Sequence, residues 1–255
     1  MAGRSRLTLS HDGGALALIA CAALAWYLTV IGRVDMSAGT GTMGLRLWGF
    51  LGVWALMMAA MMLPALAPFT STYLRSIRAV RSSRVRAFRT ASLVAGYLLT
   101  WIGFGVVAYG AAALSGLLAE QGPDLAPWVG AGVLLAAGAY QLTPLKDFCL
   151  RHCRSPVAFL LHVSNYKGRL RDVRVGLYHG VYCVGCCWGL MLVLIAVGVM
   201  NLAWMAAITV VVFLEKTWKH GTVFSRVTGA ALIAFALFVP AHPELLPGLY
   251  MSPAM

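Results

Sequence analysis

Seven long apolar runs set the limits on what this 255-residue chain can become: Gly14–Gly32, Leu47–Phe69, Thr90–Ala119, Pro127–Leu145, Val175–Val197, Asn201–Thr217 and Val227–Pro240. About 20 consecutive apolar residues carry a helix across the hydrocarbon of a bilayer. A transmembrane β-barrel would instead need ten-residue stretches of alternating polarity, and these runs are continuously apolar. The expected fold is therefore all-α, a multi-pass transmembrane helical bundle of seven spans. The count falls to six if the short closing runs are re-entrant or interfacial. Composition agrees: 60% of residues are hydrophobic and 11% charged, against about a quarter charged in soluble domains. Soluble enzymes, nucleic-acid-binding modules and secreted disulfide scaffolds are excluded together.

The net charge of +12 is explained by topology. With the N-terminus inside, the inner segments hold two arginines before the first span, six between Arg75 and Arg89, seven Lys/Arg from Lys146 to Arg174, and Lys216, Lys219 and Arg226. That is 18 of the 20 basic residues; only Arg33 and Arg46 lie outside. The acids divide four and four, so the sides carry +14 and −2. This is the asymmetry of the positive-inside rule, reinforced by anionic headgroups. Leu18-Ile19-Ala20-Cys21 matches a lipoprotein cleavage box, but the apolar stretch continues to Ile31 where a mature lipoprotein turns polar. The expectation is an uncleaved first span with a cytoplasmic N-terminus, and residues 1–255 forming one integral membrane domain.

Chemistry concentrates between residues 140 and 220. Five of six cysteines, Cys149, Cys153, Cys183, Cys186 and Cys187, fall in a 39-residue window with His152, His162 and His179. The charge pattern puts this window on the cytoplasmic side or in the inner half of the bilayer, where thiols stay reduced. Clustered cysteines there indicate metal binding or redox chemistry. At 100° per residue, His179, Cys183, Cys186 and Cys187 share an arc of about 100° on one helix face. Cys149 and Cys153 share a face if residues 147–154 are helical. Thiolate and imidazole suit Cu(I), Zn(II) or iron. Cys21 reads as a small buried hydrophobe.

Met57, Met58, Met61 and Met62 occupy an arc of about 140° on the second span, and Met61 and Cys186 both fall roughly 14–16 Å deep. Thioethers beside thiolates favour Cu(I), although methionine also fills core gaps. Pro64 and Pro68 should bend this helix or free its carbonyls. Met36, Met43, Met191, Met200 and Met205 on the outer side form a weaker methionine trail. Glu215 stands as a hard ligand, a proton acceptor or the ion-pair partner of an inner-loop arginine. Lys216 is expected to snorkel to the interface. His152 draws attention through its place between Cys149 and Cys153.

The chain lacks a nucleotide-binding P-loop, a phosphorylation segment like that of metal-pumping ATPases, an H-E-x-x-H zinc-protease motif and a Cys-x-x-Cys-His haem motif.

The motifs Met61-Met62-Leu63-Pro64, Tyr140-Gln141-Leu142-Thr143-Pro144-Leu145-Lys146 with Cys149 and His152-Cys153-Arg154-Ser155-Pro156 make up the first half of a pattern. The second half is Gly176-x-x-His179-Gly180-x-x-Cys183-x-Gly185-Cys186-Cys187-Trp188 and Met200-Asn201-x-x-Trp204-Met205 running to Glu215-Lys216. Together they resemble a bacterial family of unknown function described as predicted metal-binding integral membrane proteins, over roughly residues 45–220. The resemblance implies a multi-pass metal-binding protein of the bacterial inner membrane.

The expectation is a bundle that holds copper as Cu(I), or zinc, and serves metal transport or metalloenzyme assembly, with a metallochaperone or metalloenzyme as partner and no nucleic acid. Cys183, Cys186, Cys187 and His179 would be primary ligands. Cys149, Cys153 and His152 would form a mouth or second site, and Met61, Met62 and Glu215 would extend it. No catalytic constellation emerges, so an enzyme is not the favoured expectation. The rivals are a thiol-redox protein cycling Cys183 and Cys186, a haem-handling protein using His179, and a structural subunit with inert thiols.

Overall fold

The computed structural model describes residues 3–36, 41–80, 82–122, 125–242 and 246, with side chains described from residue 13 onward except 33–40 and 119. Arg81, Asp124 and Glu244 of the charge tally, and the side chain of Met36 from the outer methionine trail, lie outside the described residues. The described residues are all-α, with no strand among them: α1 Gly3–Met36, α2 Leu47–Ser76, α3 Ser83–Gln121, α4 Ala126–Gln141, α5 Pro144–Arg154, α6 Pro156–His162, α7 Arg171–Ala196, α8 Leu202–Thr217 and α9 Gly221–Phe238.

Among the described residues, five helices are long and apolar enough to cross a membrane: α1, α2, α3, α7 and α9. A sixth crossing is available if α4 and α5, bent by 63°, count as one broken span. The last apolar run is longer than its hydropathy suggested, because helix begins at Gly221 rather than Val227. The short member is α8, whose 16 residues give about 24 Å of rise, less than the roughly 30 Å hydrocarbon core. Bulky apolar side chains face outward, among them Trp48, Phe88, Trp128 and Leu237. Such a shell belongs in lipid rather than water.

α2 and α7 are the central helices, with 61% and 67% of their apolar windows buried against 22% for α1 and α9. Small residues let α7 approach α3 closely. A Cβ on Gly176 would come within 2.9 Å of the Leu93 carbonyl carbon and 3.0 Å of the Tyr97 nitrogen, and one on Gly180 within 2.6 Å of Thr100 Oγ1. The Gly176-x-x-x-Gly180 ledge is thus a small-xxx-small interface of the kind that brings membrane helices together without a hydrophobic driving force. At one end a polar clamp fixes the same helices. Arg89 of α3 donates from Nε to Asp172 Oδ2 at 2.9 Å and from a second nitrogen to Oδ1 at 3.0 Å, and Tyr73 of α2 donates to Oδ1 at 2.5 Å.

The fourth apolar run, Pro127–Leu145, is not one continuous helix: α4 stops at Gln141. Pro144 has no N–H to continue the ladder and pushes Thr143 out of the α region. Thr143 is extended (φ −78°, ψ 148°), and its hydroxyl accepts from Lys146 N at 3.3 Å to cap α5. Ser155-Pro156 ends α5 in the same manner. The double break folds α5 back against α7, carrying Cys149 and Cys153 with it. α2 remains one helix through Pro64 and Pro68.

Candidate metal centre

Three of the predicted thiols meet on α7. Spacings of three and four residues put Cys183, Cys186 and Cys187 one helical turn apart on one face, and their sulfurs all lie within 4.8 Å of one another. All three are buried, at 0%, 0% and 1% exposure. The Cys186 and Cys187 thiols both donate to the Cys183 carbonyl, at 3.1 and 2.9 Å. α5 supplies a fourth sulfur, with Cys153 Sγ 3.9 Å from Cys186 Sγ. Cys149, also buried, lies where only a glycine leaves room for it: a Cβ on Gly185 would stand 2.8 Å from Cys149 Sγ.

His179 lies one turn before Cys183, 4% exposed. Its ring stacks on Phe69 at 4.0 Å and stands edge-to-face with Phe159 at 5.1 Å. Its Nδ1 is buried without a hydrogen-bond partner. Native interiors rarely leave a buried polar atom unsatisfied, and such an atom points to an ion or water it can bind.

Two groups that sequence reasoning did not place at the site touch Cys183. Tyr97 of α3 brings its hydroxyl to 2.9 Å from Cys183 Sγ, and Lys216 of α8 brings Nζ to 2.8 Å. The expectation that Lys216 snorkels to the interface is thereby corrected. Its aliphatic stem runs inward because α8 is short and ends beside α7, so the ammonium finds a thiol before it finds water. The sequence signal was only partial: two consecutive charges at the end of an apolar run diverge by about 100°, which places them on different neighbours without saying which.

Glu215 points to a different neighbour. Its carboxylate accepts from Lys146 Nζ at 2.7 Å and from Gln141 Nε2 at 3.0 Å, and Lys146 also donates to Gln141 Oε1. Lys146 and Glu215 are 0% and 1% exposed. The partner is therefore a lysine at the α4–α5 break rather than an inner-loop arginine, and the structure does not bring Glu215 to the thiols. His152 is likewise set apart, its Nδ1 on the Phe148 carbonyl at 2.9 Å and its ring flat on Tyr182 at 4.3 Å. Met61 and Met62, 1% and 0% exposed, sit in the same apolar core as the thiols, as do Met57 and Met58. Met191 and Met205 of the outer trail are fully buried in that core as well.

The donor set fits a soft ion. Several thiol sulfurs within a few ångströms, with an imidazole nitrogen a turn away and no carboxylate among them, match Cu(I) or Zn(II) and are ill-suited to a hard cation. A protein-family model described as PpoB2, copper chaperone, matches residues 51–239, a stretch holding every one of these residues. No curated protein and no solved structure matches the chain.

Proposed function

The chain belongs to the PpoB2 copper chaperone family, and we propose that it is a membrane-embedded holder of Cu(I) that supplies the ion to the assembly of a metalloenzyme. The observation that carries this reading is the convergence of the Cys183, Cys186 and Cys187 sulfurs within 4.8 Å, joined by Cys153 across the α5–α7 contact. Each thiol that takes the ion gives up a proton. Three thiolates around one monovalent ion carry a net negative charge, and the Lys216 ammonium offsets part of it while the Tyr97 hydroxyl hydrogen-bonds Cys183. His179 supplies the fifth candidate donor, and Met61 and Met62 extend the soft surface across the bundle.

The surroundings suit storage and handover more than turnover. In a dry, low-dielectric interior, thiolates grip a soft cation strongly while water and oxidants are kept out. We place the protein in a bacterial inner membrane as a single seven-span domain, with the thiol site toward the cytoplasm and residues 45–220 as its metal-handling core. In that arrangement the N-terminus and the arginine-rich loops are cytoplasmic. In that arrangement α4 and α5, bent at Thr143-Pro144, count together as one broken span. Transport of the same ion, or a preference for zinc, are the alternatives within this reading.

The deciding experiment is metal content by plasma mass spectrometry on anaerobically purified protein, wild type beside Cys183→Ser/Cys186→Ser, after reconstitution with Cu(I) and with Zn(II). One copper per chain that disappears in the variant is the expected result. Zinc retained in place of copper would redirect the reading to zinc, and no metal under either condition would sink it. A thiol-redox role draws on the short contact between Lys216 and Cys183, since an adjacent cation activates a thiol. It predicts a Cys183–Cys186 or Cys153–Cys186 disulfide after mild oxidation in cells, which mass spectrometry of alkylated peptides would detect.

A further inference from the structure

α5 and α6 enclose a second feature that the thiol site does not use, an open cavity of about 470 Å³ walled by Phe148, Arg151, His152, Phe159 and His162 among others. Its two histidines rest on a matched pair of supports. His152 lies flat on Tyr182, with centroids 4.3 Å apart and planes at 11°, and His162 lies on Tyr178, at 6.0 Å and 15°. The two tyrosines stand one turn apart on α7, with their hydroxyls 3.1 Å from each other. The tautomer of a neutral His152 ring follows from its partner. A carbonyl oxygen only accepts, so Nδ1, 2.9 Å from the Phe148 oxygen, is the nitrogen that donates, which leaves Nε2 as the position for a metal. Donation of one ring N–H to a backbone carbonyl is how proteins fix a metal-binding imidazole.

Behind this cavity stands Phe159. It lines the wall yet is 2% exposed, because its ring fills the space between the two tyrosines and the interior. It lies 5.5 Å from Tyr178 and 6.0 Å from Tyr182 on one side, 5.4 Å from Phe69 and 5.1 Å from His179 on the other. His179 in turn precedes Cys183 by one turn and offers a buried nitrogen with no partner. One line from cavity to thiols thus runs through Phe159, on a seven-residue helix, to His179.

We propose that this cavity, lined by His152 and His162, is where Cu(I) first lands, and that Phe159 is the plug that separates it from the buried thiols and admits the ion by way of His179. The proposal rests on the Cu(I) reading above. Imidazoles bind copper but are harder than thiolates, so the ion passes inward from the weaker site to the stronger one.

The test uses the full-length protein in lipid nanodiscs and has two arms. In metal-free protein, the rate at which a small methanethiosulfonate modifies Cys183 is read by peptide mass spectrometry. Phe159→Ala deletes the plug and leaves a cavity; it should speed Cys183 labelling about tenfold, while Phe159→Trp slows it. An unaltered Cys183 rate in both variants overturns the plug. In the second arm Cu(I) loading is followed in time. His152→Ala/His162→Ala should load about tenfold more slowly, within the range seen when groups that orient a metal site are removed, and reach the wild-type copper content. Wild-type loading speed in that variant overturns the landing site alone. A wild type that takes no Cu(I) overturns the landing site together with the reading it rests on.

Discussion

Lys216 Nζ lies 2.8 Å from Cys183 Sγ, while the side chain next to it on α8, Glu215, is bonded 2.7 Å away to Lys146 at the α4–α5 break. Successive residues on a helix diverge by about 100°, so one turn of α8 reaches in two directions. One arm touches the thiols of α7, and the other touches the joint that aims α5. Any shift of α8 therefore acts on both walls of the metal site.

The ammonium should matter to the ion without being one of its ligands. Lys216→Met removes the charge and keeps most of the stem, and Cu(I) affinity should fall about 10- to 100-fold, the usual range for groups that support metal ligands from behind. Lys216→Arg should retain part of it. Competition against a chromophoric Cu(I) chelator measures this, and an unchanged dissociation constant for Lys216→Met would reduce the lysine to space-filling.

The Lys146–Glu215 pair makes a separate claim, about stability. Breaking a buried pair leaves one uncompensated charge and removes about 3–5 kcal/mol, whereas replacing both partners with apolar residues of similar volume is often close to neutral. Lys146→Met and Glu215→Gln should each lower the thermal unfolding midpoint in detergent, and Lys146→Met/Glu215→Leu should recover most of the loss. Copper per folded chain should stay at the wild-type level throughout. Copper lost from a folded Glu215→Gln protein would make the carboxylate a ligand after all.

Much of this arrangement was legible in the chain. Apolar runs announced membrane helices, because nothing else satisfies backbone polar groups in hydrocarbon. The i, i+3, i+4 spacing of Cys183, Cys186 and Cys187 announced one face, because a helix permits no other placement. The helical stretch Pro144–Arg154 likewise put Cys149 and Cys153 on one face as its spacing required. What the sequence could not carry was pairing between helices. Tyr97 is one of nine tyrosines, and nothing local marks it. It reaches Cys183 only because Gly176 and Gly180 let α3 approach α7 so closely. Lys146 looked like one more inner-loop cation until the Thr143-Pro144 break turned it inward. His152 sits between two cysteines in sequence, yet its Nδ1 goes to the Phe148 carbonyl and its ring to Tyr182, while Cys153, one residue on, diverges from it by about 100°.

Methionine offers a selectivity test. Met61 and Met62 are buried, and exchange for leucine conserves volume well enough to cost less than about 1.5 kcal/mol each. If the thioethers extend the soft surface, Met61→Leu/Met62→Leu should weaken Cu(I) binding while leaving Zn(II) binding unchanged, because thioether sulfur discriminates between the two ions. Parallel Cu(I) and Zn(II) titrations of the folded double variant check this. Equal losses for both ions, or none, would return these residues to the role of core filler.

The two cysteines of α5 should prove unequal. Cys153 stands 3.9 Å from Cys186 and can close around an ion held by α7. Cys149 presses its sulfur against the backbone at Gly185, a packing role that a smaller, more polar serine fills less well. Cys153→Ser should therefore lower Cu(I) affinity with little change in thermal stability. Cys149→Ser should do the reverse, losing stability of about 1–3 kcal/mol from the buried hydroxyl at nearly unchanged affinity in the folded protein. The comparison needs only chelator competition and thermal unfolding on the two single variants. Equal affinity losses from both would place the α5 pair together as a second site, distinct from the α7 cluster, and stoichiometry above one copper per chain would then be expected.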